Sequence, residues 1–286
     1  MRKNLYSTVL YLALILIWGV GFLLYLNGNH LRKDTKPPVI AFSFEILEIS
    51  ARDPKQALLR GVTATDDKDG DVTDSLVVAQ LQMAGREGVV RVTYAAFDAA
   101  GNVTKATRQV RFTDYESPKF TLSTALAFSG NTKFDLFAIV KAQDMLDGDI
   151  SHRVRITSLD DSAVTTVGDH SVQVTVSNSL GETVSLILPV EVYAAGTYQA
   201  AVALKEYLVY VPVGHKLDTQ SYLKEFIRGN VTVDLTNGIP EGYTLDVRSN
   251  VKPGVPGVYT VEYRITEATG GAGYVGYTKL IVVVEG

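Results

Sequence analysis

The stretch ATDDKDGDVTDSL, residues 64–76, places five aspartates within nine positions around one glycine. A calcium loop, a cluster of catalytic acids and a tight turn between two strands all fit such a stretch. A related stretch, AQDMLDGDISHRV, follows at 142–154, and a more distant one, EFIRGNVTVDL, at 225–235. The sequence therefore contains an internal repeat, and its three copies have to be interpreted together.

The repeat extends beyond the acidic stretch. GVVRVTYAAFDAAGN at 88–102 matches GDHSVQVTVSNSLGE at 168–182 and GVYTVEYRITEATGG at 257–271. The Val-, Thr- and Tyr-rich runs in these segments, and TKLIVVVE at 278–285, alternate as half-buried strands do. A period of about 80 residues exceeds that of solenoid repeats, so each copy is predicted to be a small β-sandwich with its own core.

The glycine of the acidic stretch persists while the acids change from DGD to DGD to RGN, which favours a turn with a positive φ at the glycine. An EF-hand is excluded, because with Gly70 at loop position 6 the bidentate position 12 is Leu76. A glycosidase-type carboxylate pair needs a pocket, which acids in one exposed turn do not supply. An irregular calcium site remains the alternative, with these ligands: Asp66, Asp67, Asp69, Asp71 and Asp98.

The composition excludes several classes of function. The net charge of the 286 residues is −4, and no basic block is present to follow a phosphate backbone, so nucleic acid is not an expected partner. The chain has no cysteine, and its four histidines lack metal-ligand spacing. Neither a nucleophile elbow nor a P-loop is present. The chain is therefore not expected to be an enzyme, and calcium is the only cofactor considered.

An uncharged run, LYSTVLYLALILIWGVGFLLYL, occupies residues 5–26. As a helix it rises about 33 Å, enough to cross a hydrocarbon core of ~30 Å. Arg2 and Lys3 also suit the start of a signal peptide, but the run is long for one and no small-residue cleavage site follows. The run predicts an uncleaved signal-anchor in a single-pass protein of the cell membrane, with the C-terminal domains outside the cytoplasm.

Tyrosines concentrate late in the chain, with ten of the fifteen from residue 193 onward. Most are expected to pack within sheets. Tyr274 and Tyr277 flank Gly276 beside a glycine-rich loop. Because exposed tyrosines are enriched where proteins bind partners, these two are predicted to contact a protein or glycan outside the cell.

GVTATDDKDGDVTDSL at 61–76, followed by GVVRVTYAAFDAAGNVTKATRQVRFTD at 88–114, resembles the bacterial cell-surface immunoglobulin-like repeat family. The family pattern is an acidic A-x-D-x-x-D-G-D-[IV]-T turn, a G-x-Y-x-V-x-Y strand and a D-x-x-G-N corner. The first copy carries both halves, with Val90 at the first tyrosine position. The second keeps Asp144, Asp147, Gly148 and Asp149 but has NSLGE at the corner, and the third keeps GVYTVEY without the acids.

The resemblance implies an all-β chain of three tandem immunoglobulin-like β-sandwiches behind one transmembrane helix. The predicted boundaries are a cytoplasmic tail at 1–4, the helix at 5–26, a linker at 27–37, and modules at 38–115, 116–194 and 195–286. The family has linking, adhesive or accessory roles outside bacterial membranes. The predicted function is a membrane-anchored, non-enzymatic stalk, adhesin or binding module; the alternative is an accessory structural subunit of a multi-protein cell-envelope complex.

Overall fold

The computed structural model describes residues 11–25, 34–85, 88–160, 164–268 and 273–286. The fold is mostly β, as predicted. The chain divides into two compact units, Met1–Thr113 and Asp114–Gly286. One set of seven strands lies in the first unit and two further sets lie in the second. The module boundaries at 115/116 and 194/195 stay predictions.

Residues 11–25 form helix α1. The rest of the predicted membrane helix (5–10 and 26), the tail at 1–4 and linker residues 27–33 lie outside the described residues. In the part of the chain that the structure describes, no helix combines the length and the apolar character needed to cross a membrane. The five consecutive side chains of α1 at residues 14–18 are 49–79% exposed. Since five consecutive residues point to all sides of a helix, every face of this part of α1 is open.

The first unit contains two sheets, with strand orders β1-β3-β4 and β2-β7-β6-β5. Among the described strands of this unit, β2 and β7 pair in parallel and the other pairs are antiparallel. Short 3₁₀ turns occupy Lys55–Leu59 and Thr73–Ser75. The strands are β1 Val39–Phe42, β2 Ile46–Ile49, β3 Val62–Asp66, β4 Gly70–Asp71, β5 Val77–Met83, β6 Val89–Phe97 and β7 Val103–Phe112.

The core of the first unit lies between these sheets. Along β3 every second residue is buried, and Val90, Val92 and Tyr94 alternate inward on β6. The rings of Phe42 on β1 and Tyr94 on β6 meet with centroids 5.5 Å apart, which brings the two sheets face to face. The period-2 pattern of the sequence thus produces the two apolar layers of a sandwich.

The second set of strands repeats this topology, with orders β11-β10-β8 and β12-β13-β14-β9. Again the second strand of the set pairs in parallel with the last. A short helix, α2 Leu136–Ile139, precedes β10, and a 3₁₀ turn occupies Ser151–Arg153. The strands are β8 Lys119–Leu122, β9 Ala127–Ser129, β10 Val140–Asp144, β11 Gly148–Asp149, β12 Arg155–Ser158, β13 Gly168–Ser177 and β14 Thr183–Tyr193.

The third set follows the same order but closes into one seven-stranded sheet, because its first strand also pairs with its last. The path is β18-β17-β15-β21-β20-β19, with β16 paired to β21 in parallel. A 3₁₀ turn occupies Thr219–Tyr222. The strands are β15 Ala200–Leu204, β16 Leu208–Pro212, β17 Leu223–Arg228, β18 Val231–Asp234, β19 Tyr243–Ser249, β20 Gly257–Glu267 and β21 Tyr274–Glu285.

Strand β21 is buried on both faces. Leu280, Val282 and Val284 belong to the core of the third set. Ile281 and Val283 point the other way and join the core of the second set. The half-buried alternation predicted for TKLIVVVE is therefore wrong, since burial is continuous from Gly276 to Val284. A strand covered on both sides carries an unbroken apolar run, and this one links two cores within the second unit.

Hydrogen bonding reinforces the link between the second and third sets. The hydroxyl of Tyr210 on β16 accepts a hydrogen bond from the backbone N–H of Phe120 on β8, at 2.8 Å. Burial raises the pKa of Tyr210 to about 12, so the phenol stays protonated at physiological pH. The ammonium of Lys119 lies 5.5 Å from the centre of the same ring. Tyr210, a residue of the third set, therefore contacts the second set through both its hydroxyl and the face of its ring.

Ile281→Ala tests the shared core. The substitution removes buried methyl and methylene groups, so we expect the free energy of unfolding of the second unit to fall by about 2–5 kcal/mol. Ile187→Ala, on β14 with a side chain 53% exposed, is the matched control and is expected to change it by less than ~0.5 kcal/mol. Urea unfolding followed by circular dichroism measures both. Equal effects of the two variants would contradict the double-sided burial.

Candidate functional site

The acidic stretch forms the turn between β3 and β4, where Asp66 pairs with Gly70. Gly70 has φ +74°, and Gly148 and Gly229 in the turns of the other two copies have φ +71° and +55°. These values lie in the left-handed region that favours glycine. The prediction of a turn whose glycine has a positive φ is confirmed in all three copies.

Asp66 holds this turn together. Its Oδ1 accepts hydrogen bonds from the backbone N–H groups of Lys68 (2.8 Å) and Asp69 (3.0 Å). These bonds, that of Asp69 first, lower the pKa of Asp66 below its ordinary 3.8, so the carboxylate is ionised at neutral pH. In the second set Asp144 makes the same pair of bonds, to Leu146 and Asp147, both at 2.9 Å.

Three of the five predicted calcium ligands point to other partners. Asp67 Oδ2 forms an ion pair with the ammonium of Lys36 at 2.6 Å. Asp69 Oδ2 accepts a hydrogen bond from the backbone N–H of Ala99 at 2.8 Å, and Asp71 Oδ1 accepts one from that of Thr73 at 2.9 Å. These three carboxylates thus have other partners in the described structure, and their role as calcium ligands stays a prediction.

Asp98 lies where β6 ends and the corner to β7 begins. Its two oxygens accept hydrogen bonds from Asn102, Oδ1 from the backbone N–H at 2.7 Å and Oδ2 from the side-chain amide at 2.6 Å. Gly101, with φ +84°, completes the corner. Asp98 is 8% exposed, an unusual degree of burial for an aspartate at a strand end.

Asp98 and Asp66 meet a third acid, Asp34, which sequence reasoning missed. One carboxylate oxygen from each of the three residues lies within 4.8 Å of the others, and all three side chains are buried. Asp34 belongs to the segment that leads into β1. The one sequence feature that could have pointed to it is its position shortly before the two prolines at which the first repeat begins. We call these three residues the acidic cluster. A buried group of oxygen donors is what hard divalent cations prefer.

The hydrogen bonds to Asp71 predict a dependence of stability on pH. The hydroxyl and the backbone N–H of Thr73 lower the pKa of Asp71 below 3.8. Their stabilisation is therefore present above the unfolded-state pKa and is lost as the pH falls through the lower folded-state value. Asp71→Asn is expected to be less stable than the wild type at pH 7, and this difference is expected to shrink as the pH falls below 3.8, as measured by urea unfolding. A difference that stays constant over this range would contradict this role.

The two tyrosines predicted to bind a partner have different environments. Tyr277 is 6% exposed and its hydroxyl donates a hydrogen bond to Glu191 Oε2 at 2.6 Å. Burial, followed by that hydrogen bond, raises its pKa. The expectation of an exposed ring is therefore wrong for Tyr277, which joins β21 to β14. Tyr274 is partly exposed, and the guanidinium of Arg228 lies 4.3 Å from the centre of its ring.

Tyr277 also belongs to a buried polar group between the second and third sets. The ammonium of Lys279, with a side chain 8% exposed, forms an ion pair with the same Glu191 carboxylate. The ring of Tyr198 stacks on that of Tyr277 with centroids 4.5 Å apart. Partners of opposite charge and a phenolic donor thus satisfy one another where solvent is largely excluded.

Tyr277→Phe tests this structural role. Loss of a hydrogen bond to a carboxylate is expected to lower the free energy of unfolding of the second unit by about 1.5–3 kcal/mol. Tyr274→Phe is the matched control, because phenylalanine keeps the ring contact with Arg228, and its effect is expected to stay below ~0.5 kcal/mol. Thermal and urea unfolding provide the readout. A neutral Tyr277→Phe variant would mean that the hydroxyl does not stabilise this interface.

No protein-family model and no curated protein matches the chain. Among solved structures, the CBM51-2 and INT domains of ZmpB from Clostridium perfringens, in complex with GlcNAc, share 18% identity, with 58% of this chain and 31% of that chain covered and a TM-score of 0.23. A lipoprotein from Bacteroides thetaiotaomicron shares 12%, with coverages of 58% and 99% and a TM-score of 0.23.

Extracellular cadherin domains 1–5 of Protocadherin Gamma B2 share 12% identity, with coverages of 88% of this chain and 60% of that chain and a TM-score of 0.20. The chain thus spans 31% of the ZmpB structure and 60% of the protocadherin one. These similarities are too low to assign a family. The fold described above rests on strand pairing and burial alone.

Proposed function

We propose that the chain is a membrane-anchored, extracytoplasmic protein in which three immunoglobulin-like β-sandwiches serve as a non-enzymatic stalk and binding module. Residues 5–26 are its anchor. The partner is a protein or glycan outside the cell, and Tyr274, beside the loop before β21, is the remaining candidate among the predicted contacts.

The observation that carries this proposal is the exposed apolar surface of α1. Its large side chains include Ile15, Leu16 and Trp18, which are 67–79% exposed together with Ile17 between them. A helix that is apolar on every side is stable where another apolar phase covers it. Lipid supplies that phase, and at about 25 cal/mol per Å² the burial of such side chains is strongly favourable.

The second unit supports the role of a stalk. Its two sets of strands share apolar packing through β21 and the Tyr277–Glu191–Lys279 contacts. Such a body resists bending between its sets, because bending would expose apolar side chains and separate a buried ion pair. Asp66 in the first unit and Asp144 in the second accept hydrogen bonds from backbone N–H groups of their own turns and so fix the conformation of those turns. Such a structural role suits a scaffold.

Cysteine labelling tests the proposed topology, since the chain has no cysteine of its own. Asn131→Cys places a thiol at an exposed loop of the second unit, and Lys3→Cys places one before the anchor. In intact bacterial cells a membrane-impermeant maleimide is expected to label Asn131→Cys, and Lys3→Cys only after permeabilisation. Deletion of residues 5–26 is expected to move the chain from the membrane to the soluble fraction.

The opposite labelling pattern would contradict the topology, and a wild-type chain found in the soluble fraction would contradict the anchor. Detergent extraction followed by size determination then distinguishes the two roles. A monomer favours the stalk, whereas a stable heteromer favours the accessory subunit of an envelope complex.

A further inference from the structure

The acidic cluster brings together three segments of the first unit. Asp34 precedes β1, Asp66 ends β3 and Asp98 follows β6. Asp66 and Asp98 are 9% and 8% exposed, and the side chain of Asp34 is 9% exposed. Three carboxylates in so small and dry a volume repel one another unless a positive charge lies between them.

Two oxygens of the cluster lack hydrogen-bond partners. Within the described residues, Asp34 Oδ2 and Asp66 Oδ2 are fully buried and accept no hydrogen bond. A buried, unpaired carboxylate oxygen loses its hydration without compensation, which is unfavourable. The other oxygen of Asp66 is engaged in the turn, so the free one is not needed to build the fold. These oxygens are available to a ligand.

The second set of strands shows how the same position is completed without a ligand. The register of β1 with β3 and of β8 with β10 places Asp144 at the position of Asp66. Asn178 follows β13 as Asp98 follows β6. The amide Nδ2 of Asn178 donates hydrogen bonds to Asp144 Oδ2 at 3.1 Å and to the hydroxyl of Tyr115 at 2.7 Å. A positively polarised N–H group thus faces the acid.

The third set uses a full positive charge. By the same register Arg228 stands at the position of Asp66, and Glu267 at that of Asp98. Arg228 Nε lies 2.8 Å from Glu267 Oε2, and Tyr243 donates a hydrogen bond to the same carboxylate at 3.2 Å. In each of the later sets the residue at the Asp66 position thus faces a donor or an opposite charge. In the first set three acids come together instead, and although Asn102 donates to Asp98 and Lys68 lies beside Asp34, the Oδ2 atoms of Asp34 and Asp66 face no donor among the described residues.

We propose that Asp34, Asp66 and Asp98 bind a divalent cation, Ca²⁺. In the first unit this ion would supply the positive charge that the Asn178 amide and the Arg228 guanidinium supply in the two sets of the second unit. The proposal concerns the first unit only and does not depend on the proposed anchoring or partner.

The charges around the cluster match a divalent ion. Lys68 Nζ lies 3.6 Å from Asp34 Oδ1, with a side chain 48% exposed, and Lys36 is paired with Asp67. Three carboxylates and the Lys68 ammonium leave a charge of about −2 at the cluster, and Asp69 adds further negative charge nearby. Oxygen donors from three separate segments suit the flexible coordination of Ca²⁺ better than the strict octahedron of Mg²⁺.

A bound ion has a structural consequence for the start of the first unit. It would fasten the segment that contains Asp34 to the β3–β4 turn and to the corner after β6. The entry into β1 would then be rigid with calcium and looser without it, because the carboxylates no longer attract a common charge.

The test uses the full chain in detergent after removal of calcium with a chelator. Titration calorimetry is expected to show one saturable Ca²⁺ site with a Kd of about 10⁻⁴ M, the range of extracellular modules. Calcium at 1 mM is expected to raise the Tm of the first unit by about 5 °C. Mg²⁺ at the same concentration is expected to have a smaller effect.

Asp98→Asn installs the amide that the second set carries. We expect Ca²⁺ affinity to fall about tenfold or more. The new amide can donate to Asp66 Oδ2 but loses the hydrogen bond from the Asn102 amide, so the Tm without calcium is expected to stay within about 5 °C of that of the wild type. This second readout separates a lost ligand from a damaged fold. Asp67→Asn, an acid of the same turn outside the cluster, is the matched control and is expected to keep the affinity.

The converse variant, Asn178→Asp, is expected to lower the Tm of the second unit in the absence of calcium, because it places a carboxylate against Asp144. Three results would overturn the proposal: no saturable binding up to 10 mM Ca²⁺, unchanged affinity in Asp98→Asn, or an equal loss of affinity in Asp67→Asn.

Discussion

The long hairpin that closes each set of strands is the constraint on which the rest of the structure depends. In the first set it joins β6 to β7, in the second β13 to β14 and in the third β20 to β21. Its first strand contributes the alternating core residues, and its second strand pairs in parallel with the second strand of the set. Its tip presents the buried polar residue, Asp98, Asn178 or Glu267. Core, sheet order and polar site all follow from its position.

Those features of the fold that depend on local sequence were predictable. Gly70, Gly148 and Gly229 have positive φ values because the turn requires a left-handed backbone conformation, which glycine adopts without strain, and that requirement is visible as a repeated glycine. The alternation in GVVRVTYAAF and its relatives reports burial on one face. Because the repeat occurs three times, each of these local patterns is present in three copies, and together they predicted a mostly β fold.

Features that depend on packing between distant segments were not predictable. Nothing in TKLIVVVE distinguishes a strand with one buried face from one covered on both, since Val and Ile suit either. Tyr277 was expected to be exposed because it follows Gly276 close to a glycine-rich loop, yet Glu191, far away in sequence, accepts a hydrogen bond from its hydroxyl. The candidate site was half predicted: Asp66 and Asp98 lie together, while Asp34 comes from a segment whose composition suggested only a spacer. Alignment of RGN with DGD also misplaced Arg228, because the third turn is shorter and strand pairing sets Arg228 opposite Val231.

The parallel pairing of the second and last strands has a mechanical consequence. It involves four residue pairs in the first set, three in the second and five in the third. Tension applied between the two ends of a set pulls these paired strands in opposite directions along their axes. The hydrogen bonds are then loaded in shear and share the force, whereas a hairpin pulled apart at its open end loses its bonds one by one. A tether built from such sets resists stretching, and its extensibility is decided by the shortest of these ladders.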